Sequence, residues 1–171
     1  MRRIGKNEYD CERQLGVCFT GHRPDKLPWG RDEDDERCAA LKKRIENEIK
    51  KAYSQGARYF LSGMADGVDT YAAEAVLKLS ILHPGMKLIA VFPYGEGDSP
   101  RKKRIARRAY RVVSLHDEYT RTCFFERNLF LVKNSARVIA CFGGDTASGT
   151  ASTLKMARQE GIDIVILNID D

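Results

Sequence analysis

No run of apolar residues in this chain approaches the roughly 18 that a membrane-crossing helix needs, so no membrane partner is expected. The N-terminus, MRRIGKNEYDCERQ, is basic but has no apolar stretch behind it; a signal peptide is not expected, and the cytoplasm is the expected compartment. Five cysteines (Cys11, Cys18, Cys38, Cys123 and Cys141) contain no C-x-x-C pair, which argues against a disulfide framework or a zinc site. They read instead as reduced thiols serving as small hydrophobes. The three histidines, His22, His83 and His116, show no metal-ligand spacing. A P-loop and a clean G-x-G-x-x-G are both missing, so ATPase and hydride-transfer readings lack their sequence support. There is no internal repeat and no low-complexity segment.

What the chain does have is alternation. Its 171 residues suit one domain, with residues 1–14 as an N-terminal arm, and 43% hydrophobic against 31% charged residues is ordinary for a globular protein. Strand-length apolar runs recur: LGVCFT (15–20), ARYFLS (57–62), KLIAVF (87–92), RVVSL (111–115), ARVIACF (136–142) and DIVIL (163–167). Most are continuously apolar, as strands covered on both faces are. Amphipathic segments separate them, at 35–55, 67–80, 99–111, 122–134 and 149–160. Ser99-Pro100 reads as a cap and first helical residue, Ser148 as another cap, and Gly56 and Gly161 as stops. The expected fold is α/β, a three-layer arrangement with a mostly parallel central sheet.

In such a sheet ligands bind outside the carboxyl ends of the strands. The loops leaving those ends are Thr20-Gly21-His22-Arg23-Pro24, Gly63-Met64-Ala65-Asp66-Gly67-Val68-Asp69, Pro93-Tyr94-Gly95-Glu96-Gly97 and Gly143-Gly144-Asp145-Thr146-Ala147-Ser148-Gly149-Thr150. Where a strand meets a helix N-terminus, unpaired amides and the helix dipole favour an anion, and glycines let it approach. Asp66 or Asp69 is expected to cap the helix of the second loop. Arg23 suits bidentate phosphate recognition, or else caps or pairs locally. His22 is either an acid–base group or a hydrogen-bonded loop residue. Glu126-Arg127-Asn128 is either a solvent strip or a group reaching over the crevice. Trp29 is an exposed contact or a lid.

Charge placement adds one more feature. The segment RKKRIARRAYR (101–111) holds seven Lys/Arg and no acid, more positive charge than the chain's net +5. In a helix those seven spread around much of the circumference. The segment reads as a solvated face, as a lure for anionic ligands, or as a single-stranded nucleic-acid contact with Tyr110 and Tyr94 as stacking groups. The acidic run DEDDE (32–36) reads as favouring the positive end of the following helix rather than binding metal.

The ordered set Cys18-Phe19-Thr20-Gly21-His22-Arg23-Pro24 with Lys26-Leu27, Ser62-Gly63-Met64-Ala65-x-Gly67-Val68-Asp69, Phe92-Pro93-Tyr94 and Arg127-Asn128 resembles the YpsA/YoqJ-like proteins of the SLOG superfamily. The resemblance spans residues 15 to about 168 and implies a single Rossmann-like SLOG domain. It also implies a nucleotide or ADP-ribose-like ligand, with no other cofactor, held by Thr20, Gly21, His22, Arg23, Gly63, Met64, Ala65, Gly67, Asp69, Pro93, Tyr94, Arg127, Asn128, Gly143, Gly144, Ser148, Gly149 and Thr150. The superfamily includes the LOG phosphoribohydrolases and the DNA-processing protein DprA, so N-glycosidic cleavage and nucleic-acid binding are the alternatives to a binding or sensing role. Two departures stand out. Thr153 occupies the position of the LOG catalytic glutamate, with Asp145 and Glu126 as substitutes, and Asp66 stands where DprA has arginine. Related folds often pair, so a homodimer is among the expected assemblies.

Overall fold

The computed structural model describes residues 2–170. Its centre is one sheet of seven strands, all parallel: β1 (Arg2–Gly5), β2 (Gly16–Gly21), β3 (Tyr59–Ser62), β4 (Lys87–Phe92), β5 (Arg111–Ser114), β6 (Arg137–Phe142) and β7 (Asp163–Asn168). Five α-helices connect and cover them: α1 (Glu36–Ser54), α2 (Val68–Ser80), α3 (Pro100–Arg108), α4 (Cys123–Lys133) and α5 (Gly149–Glu160). The architecture is Rossmann-like, with helices on both faces of the sheet.

The continuous apolar runs follow from that covering. Successive side chains of a strand point to opposite faces. Val17 and Phe19, Phe60, Leu88 and Ala90, and Ile139 pack with α1, α2 and α3. Their neighbours Cys18, Leu61, Ile89 and Val91, and Val138 and Ala140 pack with α4 and α5. All five cysteines are free thiols, four of them buried. Trp29 is also interior, 6% exposed in the first cluster, which removes it as a lid or surface contact.

One strand lies where no strand is expected. Residues 2–5, within the presumed arm, pair in register with β5 at the sheet edge, Ile4 opposite Val113. A four-residue strand with one apolar residue has no period to read, and its partner lies more than a hundred residues away. The helix ends match their signals better. Asp35 caps α1 by accepting from the Arg37 amide, Ser99 caps α3 through the Lys102 amide, and Gly161 closes α5 at φ 68.

Strand order is β1-β5-β4-β3-β2-β6-β7. From β2 the chain steps outward through β3, β4 and β5, then crosses back to place β6 and β7 on the other side of β2. The reversal falls between β2 and β6, where an open α/β sheet leaves a crevice beyond its carboxyl edge.

Charge holds the helices of one layer together. The Arg101 guanidinium on α3 binds Glu33 (2.6 and 2.9 Å) and Glu74 of α2 (2.7 and 2.8 Å), and Lys42 of α1 also reaches Glu33 at 2.7 Å. These cations, Arg101 first, hold the Glu33 carboxyl at about 2, below the ordinary 4.5. A depressed folded-state value adds stability above the unfolded value and loses it as pH falls through the folded one. Glu33→Gln is therefore expected to be less stable than the parent at neutral pH. In urea denaturation across pH 2–7, the gap should close between about 4.5 and 2. A gap unchanged at pH 2 would remove the clamp from the account.

Candidate functional site

Loops leaving β2, β3, β4 and β6, together with α4, enclose two adjoining cavities at the carboxyl edge. The first, about 270 Å³, lies at the reversal between β2 and β6; Thr20, Gly21, His22, Asp69, Asn128, Ser148, Gly149 and Thr150 line it, with Asp25 and Lys26. The second, about 250 Å³, is lined by Gly63, Met64, Pro93, Tyr94, the residues from Gly95 to Asp98, and Lys102. Arg23, Ala65, Phe124 and Arg127 belong to both walls, so the two are lobes of one cleft. Either lobe alone falls below the roughly 300–1,000 Å³ of ordinary ligand sites, and the two together fall within it.

The first lobe contains the α5 N-terminus. The Ser148 hydroxyl accepts from the Ala151 amide at 3.1 Å and donates to the Asp145 carbonyl at 2.7 Å. The amides of Gly149 and Thr150 have no protein acceptor among the described residues. A Cβ on Gly149 would meet nothing within 4 Å, so the chain leaves room beside that glycine, while Thr150 is buried. Lys26 crosses the mouth to Asp145 at 2.8 Å, tying the β2 loop to the β6 loop.

The turn after β3 is built differently from expectation. Two of its amides are engaged by nearby side chains. Ser62 Oγ accepts from Met64 N at 3.2 Å, and Asp69 Oδ2 accepts from Ala65 N at 3.2 Å. Neither Asp66 nor Asp69 caps α2: the cap position is Gly67, with no side-chain bond, and Asp66 lies 3.5 Å from Lys102 Nζ. Gly67 has φ 91, and a Cβ there would fall 2.6 Å from the His22 carbonyl oxygen. A Cβ on Gly63 would fall 2.7 Å from Arg127 Cδ and 3.0 Å from Asp69 Oδ2. These two glycines admit other parts of the chain. Met64, at φ 58 and 2% exposed, is the single non-glycine residue described with a left-handed backbone, and it sits in the wall of the second lobe.

Arg127 is the floor. Six per cent exposed, it donates from Nη1 to the Gly63 carbonyl at 2.7 Å and from Nε to Asn128 Oδ1 at 2.9 Å. Burial pulls its pKa down while the Asp69 charge opposes the shift; burial pushes Asp69 up while Arg127 opposes that. The two buried groups thus each keep the other's charge tenable. Arg23 differs. It is exposed, has no carboxylate partner among the described residues, and lies over the Phe124 ring at 5.3 Å. His22 is 5% exposed, with its ring 5.9 Å from Phe142, and burial lowers its pKa, which favours the neutral ring.

The second lobe has an aromatic side. Tyr94, Tyr119 and Phe124 meet with centroids 5.9–6.4 Å apart, and Tyr94 and Phe124 remain 37% and 38% exposed. Phe124, Lys26, Lys102 and Asp98 were not among the candidate residues. The helical spacing of 122–134 points Phe125 inward, yet Phe125 is 56% exposed. Of the candidates, Gly67, Gly143 and Gly144 stay outside both lobes. Gly143 packs on Ile169, and Gly144 meets nothing. Glu126 turns away to His116 at 2.7 Å, Asp145 is taken by Lys26, and Thr153 is fully buried with its hydroxyl donating to the Gly149 carbonyl.

Comparison with known proteins gives a consistent picture. The family model described as the YspA SLOG family matches residues 17–171. UPF0398 protein YpsA of Bacillus subtilis is 25% identical over 170 residues, covering 91% of this chain and 93% of the relative. A UPF0398 protein of Halalkalibacterium halodurans is 24% identical over 144 residues, 77% of this chain and 76% of its own. Another, from Staphylococcus saprophyticus, is 28% identical over 109 residues, 63% and 56% respectively. Among solved structures, S. aureus homoserine dehydrogenase overlays 91% of this chain and 33% of its own at a TM-score of 0.27 and 10% identity, too loosely to bear on function.

The two arginines should separate in stability measurements. Arg127→Ala removes a buried hydrogen-bonded cation and leaves Asp69 uncompensated, and is expected to lower the unfolding free energy by about 2–4 kcal/mol. Arg23→Ala should change it by less than about 0.5 kcal/mol. Urea denaturation of both variants checks the contrast, and equal losses would contradict it.

Proposed function

The chain belongs to the YspA SLOG family, and on that footing we propose that it binds a nucleotide or nucleotide derivative in the cleft at the carboxyl edge of its sheet. The observation that carries the reading is the shared cation. Arg23 has no carboxylate partner and stands at the junction of the lobes. On one side of it are the unengaged amides of Gly149 and Thr150, and on the other is the aromatic wall of Tyr94 and Phe124. Amides at a helix N-terminus and an unneutralised guanidinium suit phosphate. An exposed ring suits a base, whose flat face loses little by stacking.

The phosphoribohydrolase alternative gains no support from the LOG glutamate position or its two substitutes, and Asp69, the buried carboxylate that does line the first lobe, is balanced by Arg127. The LOG glutamate position holds a buried threonine, and both substitutes are held in ion pairs. A role in ligand binding or sensing therefore has the better support.

Thermal denaturation with nucleoside monophosphates, NAD and ADP-ribose tests the reading. A ligand present at a hundred times its Kd stabilises by about 2.7 kcal/mol, a readily measured rise in Tm. At least one of these compounds should raise Tm, the unphosphorylated nucleoside should not, and Arg23→Ala should weaken the response about tenfold or more. No shift with any of them at millimolar concentration would sink the proposal.

A further inference from the structure

The seven cations of residues 101–111 divide into two groups. Arg101 is bound by Glu33 and Glu74, and Lys102 by Asp98 and Asp66. Arg111 folds back over the Tyr110 ring and donates to the Tyr110 carbonyl. The other four, Lys103, Arg104, Arg107 and Arg108, are exposed and have no carboxylate partner among the described residues. At about 100° per residue they fall within roughly 140° of the helix circumference. They make one face, where the whole segment would have spread round the helix. Lys103 and Arg107, and Arg104 and Arg108, stand one turn apart, so their like charges repel, and no ion pair joins any of the four to a carboxylate among the described residues.

Beside that face lies an unusual apolar feature. Ile81 and Leu82, just past the end of α2, are 71% and 81% exposed, the most exposed large apolar side chains described. Ile81 and Leu77 share a shallow depression of about 300 Å³ with Arg104 and Arg108. Glu74 and Lys78, also on its rim, are already paired, with Arg101 and Glu46. Two of the four free cations, Arg104 and Arg108, thus border Ile81, with Leu82 next to it in the chain, and Lys103 and Arg107 extend the same helix face.

An anionic bilayer matches both halves of the pattern. Its headgroups attract Lys and Arg near the surface, and the region beneath takes up aliphatic side chains. A nucleic-acid backbone would satisfy the cations, but unpaired bases stack on aromatic rings, and this depression has none in its walls. We propose that this face docks peripherally on an anionic lipid surface, with Lys103, Arg104, Arg107 and Arg108 at the headgroups and Ile81 and Leu82 entering the interface. No helix of the described residues is long and apolar enough to cross a membrane.

Sedimentation of the full chain with lipid vesicles tests it. Vesicles of phosphatidylcholine mixed with phosphatidylglycerol should retain the protein, pure phosphatidylcholine vesicles should not, and retention should fall as salt rises. Arg104→Glu with Arg108→Glu should weaken retention at least about tenfold. Ile81→Ser with Leu82→Ser should weaken it while leaving its salt dependence in place. All four positions are exposed, and circular dichroism confirms the fold of each variant. Equal retention on both vesicle types, or an undiminished signal from the arginine variant, would overturn the proposal. So would salt-sensitive binding to a single-stranded oligonucleotide, lost in the arginine variant, with no vesicle binding.

Discussion

The cleft depends on one buried hydrogen bond, from the Arg127 guanidinium to the Gly63 carbonyl at 2.7 Å. It joins α4, on one layer of the protein, to the turn leaving β3 at the sheet edge. A guanidinium 6% exposed is expensive to desolvate, and its charge stays tenable because Asp69 lies close and the Gly63 carbonyl accepts from it. Gly63 in turn has no alternative, since a Cβ there would overlap Arg127 itself. Motif, helix and strand edge are therefore mutually constrained. The glycine and the aspartate share one turn, the arginine lies 64 residues from that glycine, and the three form a single packing unit.

That constraint explains what could and could not be read from the sequence. The parallel sheet was legible because covering on both faces turns strands such as KLIAVF into unbroken apolar runs. The reversal between β2 and β6 was legible only as a set of loops sharing an edge, and the structure brings Thr20, Arg23, Asp69, Asn128, Ser148, Gly149 and Thr150 into one lobe. The purpose of individual glycines was not. Periodicity locates a glycine at a strand–helix junction but does not say whether the space beside it belongs to solvent or to another residue. At Gly149 it is open; at Gly63 it is filled by Arg127. Phe124 escaped notice for a related reason. A phenylalanine on an apolar helix reads as core, yet this ring is 38% exposed, meets Tyr94 of the β4 loop and lines both lobes.

Charge in this molecule works in two ways. Where pairing is complete, it locates helices: Arg101 with Glu33 and Glu74 fixes α3 against its neighbours. Where pairing is withheld, as at Arg23 in the cleft and at four positions of α3, no ion pair among the described residues ties the exposed cation to the fold. Such residues can be changed at little structural expense, which separates their effect on ligands from their effect on stability. Arg127 falls in neither class, because its free energy is spent on the floor even though it faces both lobes.

For the proposed ligand, the same electrostatics argue a direction. Asp69 lines the first lobe, and burial already pushes its carboxyl toward the neutral form against the pull of Arg127. A phosphate close to Asp69 would add a like charge to a group that is poorly solvated, and each would disfavour the other. A phosphate at the Gly149 and Thr150 amides would instead meet the positive end of α5. A sugar hydroxyl, by contrast, can donate to Asp69 without opposing charge, and leaves Arg127 balanced. The floor then favours a ligand whose charge sits at the helix end and whose neutral, hydroxyl-bearing part crosses Asp69 toward the aromatic wall. An ordering of that kind follows from where the protein can tolerate a second negative charge, before any shape complementarity is considered.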